Sequence, residues 1–373
     1  MRDKKPDKRK PAKPRVWGIG LLALDLIIEP DAAQPRVAAG GTCGNVMAIL
    51  SRLGWNAMPI SRLADDPASS LIVGDLQRWG VDVGRTRLRP SARSPIVVQR
   101  IRKDAAGIPF HTFSFSCPGC GRRLPGFQPV TTTSVESVVS QNEKPDVLFI
   151  DRVSRSSILL AEAASDRGAI VFFEPCGVSN VKQFAEMMEI AHIVKHSHDR
   201  LLDVGELEWR SQMLLEVETL GRGGLRFRTS IDSNTKRWRG LQALPVSHLR
   251  DTAGCGDWLS SGLIHNICRG GLKQLTRCSF DRLLGALNFG QGLAAWNCTF
   301  IGPRGGMYGL SSEQFSSVVR QLQLGKSIAS TTDSSISDEV LTYASMICDV
   351  CTQGHERGVK PMERVETAST GVN

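Results

Sequence analysis

Asp251-Thr252-Ala253-Gly254-Cys255-Gly256-Asp257 is the stretch on which the reading of this chain turns. The residues around it predict a strand-like piece over 243–249 and an amphipathic helix over 258–267. Two glycines let backbone approach a ligand with no Cβ in the way. The first N–H groups of a helix have no internal partner and face outward as anion donors. Ala253, Gly254, Cys255 and Gly256 are therefore a candidate anion hole. Asp257 stands where the helix opens, and a carboxylate there would repel a bound phosphate. It makes sense as a base that takes the proton of a hydroxyl attacking phosphorus. The plainer reading is a glycine-rich turn with an aspartate cap.

Outward from that stretch, the chain alternates between two periods. Residues 147–150, 169–173, 192–194 and 213–220 read as buried strands, and 156–167, 181–190 and 280–296 as helices. Earlier helices over 46–53 and 68–79 stop at Gly54 and Gly80. Such alternation predicts a parallel sheet covered on both faces. Ligands of these sheets sit beyond the carboxyl ends of the strands, where Asp151, Glu174, Lys195 and Gly221 fall. Gly18-x-Gly20-x-x-Ala23 imitates a dinucleotide fingerprint, but its strand is too short and no helix opens at its third position.

The chain has 373 residues, 41% of them hydrophobic, and a formal net charge of +9. Residues 1–15 hold eight Lys/Arg against Asp3 and Asp7, a net of +6, so the other 358 residues carry only +3. The basicity is that of a proline-bearing tail expected to be disordered, and nucleic acid is not an expected partner. No run approaches the ~20 apolar residues of a membrane span, and no signal-peptide pattern opens the chain. The expected location is the cytoplasm, so the ten cysteines are expected as thiols, metal ligands or catalytic groups.

Two more segments join the 251–257 turn. Gly40-Gly41-Thr42-Cys43-Gly44-Asn45 enters the helix that ends Leu53-Gly54, and Val217-Glu218-Thr219-Leu220-Gly221-Arg222-Gly223-Gly224 is a strand followed by a glycine turn. Each alone reads as a helix entry or a β-turn. Together, in this order, they resemble the signatures of the ribokinase-like (PfkB) sugar and nucleoside kinases. The resemblance implies a three-layer α/β/α domain over 16–310 with a mostly parallel central sheet. It also implies a small β lid from about 29–39 and 94–115, leaving 1–15 as a tail and 311–373 as a partly disordered appendage.

It further implies transfer of the ATP γ-phosphoryl group to a sugar or nucleoside hydroxyl, with Mg²⁺ and K⁺; since an exposed lid edge commonly pairs with another copy, a homodimer through the lid is expected as well. Asp257 would be the base, and Asp25, Gly40, Gly41 and Asn45 would hold the acceptor. Thr219, Gly221, Gly224 and Asn288 would hold the nucleotide. The chain departs from the family's Asn-x-x-Glu motif, with Ser197 and Arg200 in those places, so Glu174 or Asp199 is left to serve magnesium through water. Cys255 replaces the usual alanine of the turn.

Cys117-Pro118-Gly119-Cys120-Gly121 looks like a zinc knuckle, and Cys348-x-x-Cys351 supplies a second pair. A structural zinc tying the tail to the lid edge is one reading of Cys117, Cys120, Cys348 and Cys351, and free thiols are the other. Two alternatives to a kinase stand beside it. One is a non-catalytic sugar- or nucleotide-sensing or scaffolding protein on a kinase fold. The other is a zinc- and nucleic-acid-binding protein.

Overall fold

Val147-Leu148-Phe149-Ile150 is apolar throughout, as a strand covered on both faces must be. In the computed structural model its side chains alternate. Val147 and Phe149 enter one apolar cluster, and Leu148 and Ile150 the other. The described residues are 12–30, 35–90, 93–141, 143–202, 205–231, 236–326, 328 and 348.

In chain order the strands are β1 (Arg15–Ile19), β2 (Ala23–Ile28), β3 (Arg36–Gly40), β4 (Asn56–Ala64), β5 (Thr86–Arg89), β6 (Ile96–Lys103) and β7 (Pro109–Ser114). They continue as β8 (Val147–Ile150), β9 (Ile170–Phe173), β10 (Ile193–Ser197), β11 (Leu215–Thr219), β12 (Leu225–Thr229) and β13 (Arg239–Leu241). The helices are α1 (Thr42–Arg52), α2 (Pro67–Arg78), α3 (Thr132–Val139), α4 (Arg155–Asp166) and α5 (Val181–Ile190). After them come α6 (Cys255–Ile267), α7 (Leu272–Leu275), α8 (Phe280–Asn297), α9 (Gly305–Tyr308) and α10 (Ser312–Gln323).

A nine-stranded sheet runs β13-β12-β11-β10-β9-β8-β1-β4-β5. It is parallel from β11 to β5, with β12 and β13 antiparallel at one edge. The cluster with α3, α4 and α5 covers one face, and the cluster with α1, α6, α8 and α10 covers the other. Each fully buried Leu, Ile or Phe contributes about 1.5–3 kcal/mol. The result is a three-layer α/β/α arrangement. Beside it a four-stranded sheet runs β3-β2-β6-β7.

Several elements differ from their sequence expectation. The 243–249 piece is irregular; Pro245 has no N–H to give a ladder, and β13 already pairs with β12. The strand-like pieces that the sequence offers at 16–20 and 24–28, around a short turn, are β1 and β2, and β2 enters the small sheet. Asp25 lies on β2, within that small sheet. Strands β4, β5 and β12 and helix α3 carry patterns that the sequence reading passed over. Helix α10, within the stretch set apart as an appendage, buries Phe315, Val318 and Leu322 in the main cluster. Residues 338–350, whose sequence suits a short helix within that appendage, lie outside the described residues except for Cys348. Among the described residues no helix is long and apolar enough to cross a membrane.

Candidate active site

Most helices here are closed at their start by a side chain. Asp66, Thr131, Ser154, Asn180, Ser279 and Ser311 cap α2, α3, α4, α5, α8 and α10. Among described helices of eight or more residues, α1 and α6 alone start without such a bond, each behind a glycine. Gly41 has φ +79° and Gly254 φ +75°, conformations that L side chains rarely adopt. A Cβ on Gly41 would lie 2.4 Å from the Leu21 carbonyl oxygen, and one on Gly254 2.3 Å from that of Pro303. Both helices thus start without a side-chain cap and are held against backbone.

Between those ends lies a buried chain of polar groups. Asn45 Nδ2 donates to Asp257 Oδ2 at 2.7 Å, and Asn45 Oδ1 accepts from Arg304 Nε at 3.0 Å. Arg304 also donates to the Ala39 carbonyl and, at 2.6 Å, to Asp75 Oδ2. Tyr308 Oη donates to the same Asp75 carboxylate. Asn45 is thereby oriented by a cation and turns its amide to Asp257. Burial, with the Glu174 charge adding to it, raises Asp257 to about 7; the Asn45 bond, Lys195 and Arg200 oppose this. Asp25 is also raised to about 7, chiefly by burial, with Arg304 opposing. A Cβ on Gly40 would sit 1.9 Å from Asp25 Oδ2, so only glycine admits that carboxylate.

Asp251 holds the turn. Its Oδ1 accepts from the Ala253 N–H at 3.0 Å, and its Oδ2 from the Gly302 N–H at 2.9 Å and Gln99 Nε2 at 2.6 Å. Gln99 lies on β6 of the small sheet. His111, on β7, places Nδ1 2.9 Å from Thr252 Oγ1. The Ala253 N–H, expected among the anion donors, is therefore already used, and that of Cys255 reaches the Thr252 carbonyl at 3.4 Å. Cys255 Sγ lies 3.0 Å from Cys298 Sγ.

On the other side of the turn, Lys195 donates to Glu174 Oε1 and, at 3.0 Å, to the Gly256 carbonyl. Glu174 Oε2 accepts from Ser260 Oγ at 2.5 Å. Asp151 accepts from Arg152 at 2.7 Å and from the Leu21 N–H at 3.0 Å. In both Glu174 and Asp151 each carboxylate oxygen already faces a donor, and each group faces a cation. These residues therefore fit a resident magnesium poorly, and Glu174 is better described as the Lys195 counter-ion. Asp199 and Arg200 are exposed on the turn after β10.

The glycine turn after β11 lies one strand over, since Ser197 pairs with Thr219. Gly221 has φ +55° and is exposed, whereas Gly224 has φ +90° and is buried. Asn288 is exposed on α8, the helix that packs on α6 where Gly262 meets Gly290. Cys117, Cys120 and Cys348 cluster elsewhere, and Cys351 lies outside the described residues.

Sequence reasoning passed over Arg304, Asn45's second partner, although it is the one charge in Gly302-Pro303-Arg304-Gly305-Gly306. It also passed over Asp251 as a hub, Gln99, His111 and Ser260.

No family model matches the chain. A curated relative, a probable fructokinase-4 of Arabidopsis thaliana, is 24% identical over 273 residues, or 68% of this chain and 78% of that protein. A fructokinase from Xylella fastidiosa with bound ATP superposes with TM-score 0.65 and 15% identity, covering 83% of this chain and 99% of its own. A fructokinase variant from Vibrio cholerae with fructose, ADP and potassium bound gives TM-score 0.59 and 20% identity, covering 79% and 95%. The solved structures share the fold.

Proposed function

We propose that this chain is a ribokinase-like kinase that moves the γ-phosphoryl group of ATP to a hydroxyl of a sugar or nucleoside; its similarity to a probable fructokinase and its shared fold support that reading. The observation that carries this reading is the buried Arg304–Asn45–Asp257 chain, which fixes a carboxylate in the first turn of α6, a helix whose start has no side-chain cap. Asp25, the Gly40–Gly41 backbone and Asn45 form the acceptor side and hold hydroxyls by carboxylate, amide and backbone groups. Asp257 accepts the proton of the reacting hydroxyl as its oxygen attacks phosphorus, and the bond to the leaving ADP oxygen breaks in line. Its elevated pKa of about 7 suits that task, because the carboxylate is then basic enough to take the proton while about half of it is ionised at neutral pH.

Charge on the transferring group is met by the positive end of α6, with the Gly254 and Gly256 amides as donors and Cys255 contributing backbone only. Thr219, Gly221 and Gly224 form the donor side, and Asn288 borders the base. Magnesium enters with the nucleotide as part of the substrate, and potassium is included because the family resemblance implies it. The exposed Phe110 and Phe113 on edge strand β7 favour a second copy at the lid; a one-chain mass by light scattering would remove that part.

The decisive experiment presents purified protein with a panel of sugars and nucleosides, MgATP and K⁺, with products identified by mass. ADP and a phosphorylated acceptor are expected for at least one compound. Tight ligand binding by calorimetry with no transfer across the panel would instead favour the sensing reading, which the Lys195–Glu174 pair in place of an open metal ligand supports.

A further inference from the structure

The loop after β7 closes on itself. Ser116 bridges Arg123, the Cys117 N–H donates to the Arg122 carbonyl at 2.8 Å, and the Gly121 N–H to the Cys117 carbonyl at 2.9 Å. Gly121 takes φ +72°, which lets the chain turn directly after Cys120. The loop thus holds the Cys117 and Cys120 thiols on one short Cys-x-x-Cys hook. Cys348 arrives from the far end of the chain, its Sγ 3.5 Å from Cys120 Sγ across a sequence separation of 228. All three sulfurs lie within 4.8 Å of one another.

A tetrahedral zinc with Zn–S bonds of about 2.3 Å sets its sulfurs about 3.8 Å apart. Cys117 and Cys348 are buried, at 7% and 5% exposure, whereas Cys120 is exposed. Van der Waals packing alone gives no reason to gather three thiols from segments so distant.

We propose that Cys117, Cys120 and Cys348 are ligands of a structural zinc ion that fastens the chain around position 348 to the loop following lid strand β7. The three thiols bind as thiolates, each releasing its proton to solvent as the Zn–S bond forms. Cys351 follows Cys348 at Cys-x-x-Cys spacing and lies outside the described residues; its spacing makes it the sequence's candidate for the fourth position. The site shares no residue with the proposed phosphotransfer turn and stands or falls without it.

The test reads metal rather than turnover. Full-length protein purified under reducing conditions without chelator should carry about one zinc per chain by mass spectrometry of the metal. A mercurial thiol reagent should release it stoichiometrically. Cobalt exchanged for zinc should show the near-ultraviolet sulfur-to-metal charge-transfer bands of thiolate ligation. Cys120→Ser and Cys348→Ser should each lose most of the zinc, and Cys176→Ser, outside the cluster, should keep it. Metal-free wild-type protein that remains folded would overturn the proposal. So would a Cys120–Cys348 disulfide in peptide mass maps, or zinc undiminished in Cys348→Ser. Where the serine variants fail to fold, the cobalt spectrum and mercurial release on wild-type protein decide.

Discussion

The proposed acceptor side around Asp257 and the proposed donor side around Thr219–Gly224 are built by different means. Around Asp257 the work is done by buried side chains reaching across the chain: Asn45, Arg304, Asp75 and Asp251 each have a fixed partner. Around Gly221 the turn is largely exposed and shaped by backbone, with the Leu220 N–H closing on the Gly224 carbonyl at 2.8 Å. A proton-transfer site needs a carboxylate whose charge is costly and whose direction is fixed, which burial and a hydrogen-bonded neighbour supply together. A phosphate cradle needs amides and room, which glycines supply without side chains.

The contrast can be broken most sharply at Asp257. Asp257→Asn should lower kcat by roughly 10²–10⁴-fold, leaving nucleotide binding by calorimetry unchanged. In wild type, kcat/KM should rise with pH through about 7 and then level, because the base works only when ionised. The same carboxyl affects stability in the opposite sense. Its folded value of about 7 lies above its ordinary 3.8, so the folded chain binds that proton more tightly than the unfolded chain does. Its contribution is full below pH 4 and lost as pH rises through 7. Asp257→Asn has no proton to lose and should melt higher than wild type above pH 7, a gain absent in acid.

Arg304→Met tests whether the acceptor side depends on its buried cation. It strands Asp75, and should cost about 3 kcal/mol of stability by denaturant unfolding, since breaking such a pair leaves an uncompensated charge. Gly224→Ala probes the donor side. Its φ of +90° and a Cβ 2.1 Å from the Leu241 carbonyl oxygen should cost about 1–3 kcal/mol. Kinetically it should raise KM for ATP with KM for the acceptor unchanged; the reverse pattern would undo the assignment of the two sides. The smallest effect belongs to Cys255→Ala, which keeps the backbone donors and should change kcat by less than about threefold.

Much of the fold was legible because its signals are local. The run 147–150, the glycine stops after α1 and α2, and the glycines at 41 and 254 announce themselves within a few residues. The 243–249 piece misled because hydrophobicity says nothing of whether a pairing partner is free. Strand β12, with Leu225 and Phe227 buried between partly exposed arginines, carried an alternation that could have been read.

Sequence by itself determined which residues are chemically equipped for the proposed site: the Asp251–Asp257 turn, the Gly40–Asn45 helix entry and the Thr219–Gly224 turn. Those properties reside in residue type and short spacing, such as a carboxylate behind glycines that free a helix end. Only the tertiary structure decided the partners. Asn45 and Asp257 are 212 residues apart, and Asn45 and Arg304 are 259 apart. Tertiary structure likewise gave Glu174 to Lys195 rather than leaving it open for a metal, and brought Cys348 to Cys120. A hydrogen bond or ion pair depends on ångström-scale distance, which the sheet order and helix packing set and chain position does not.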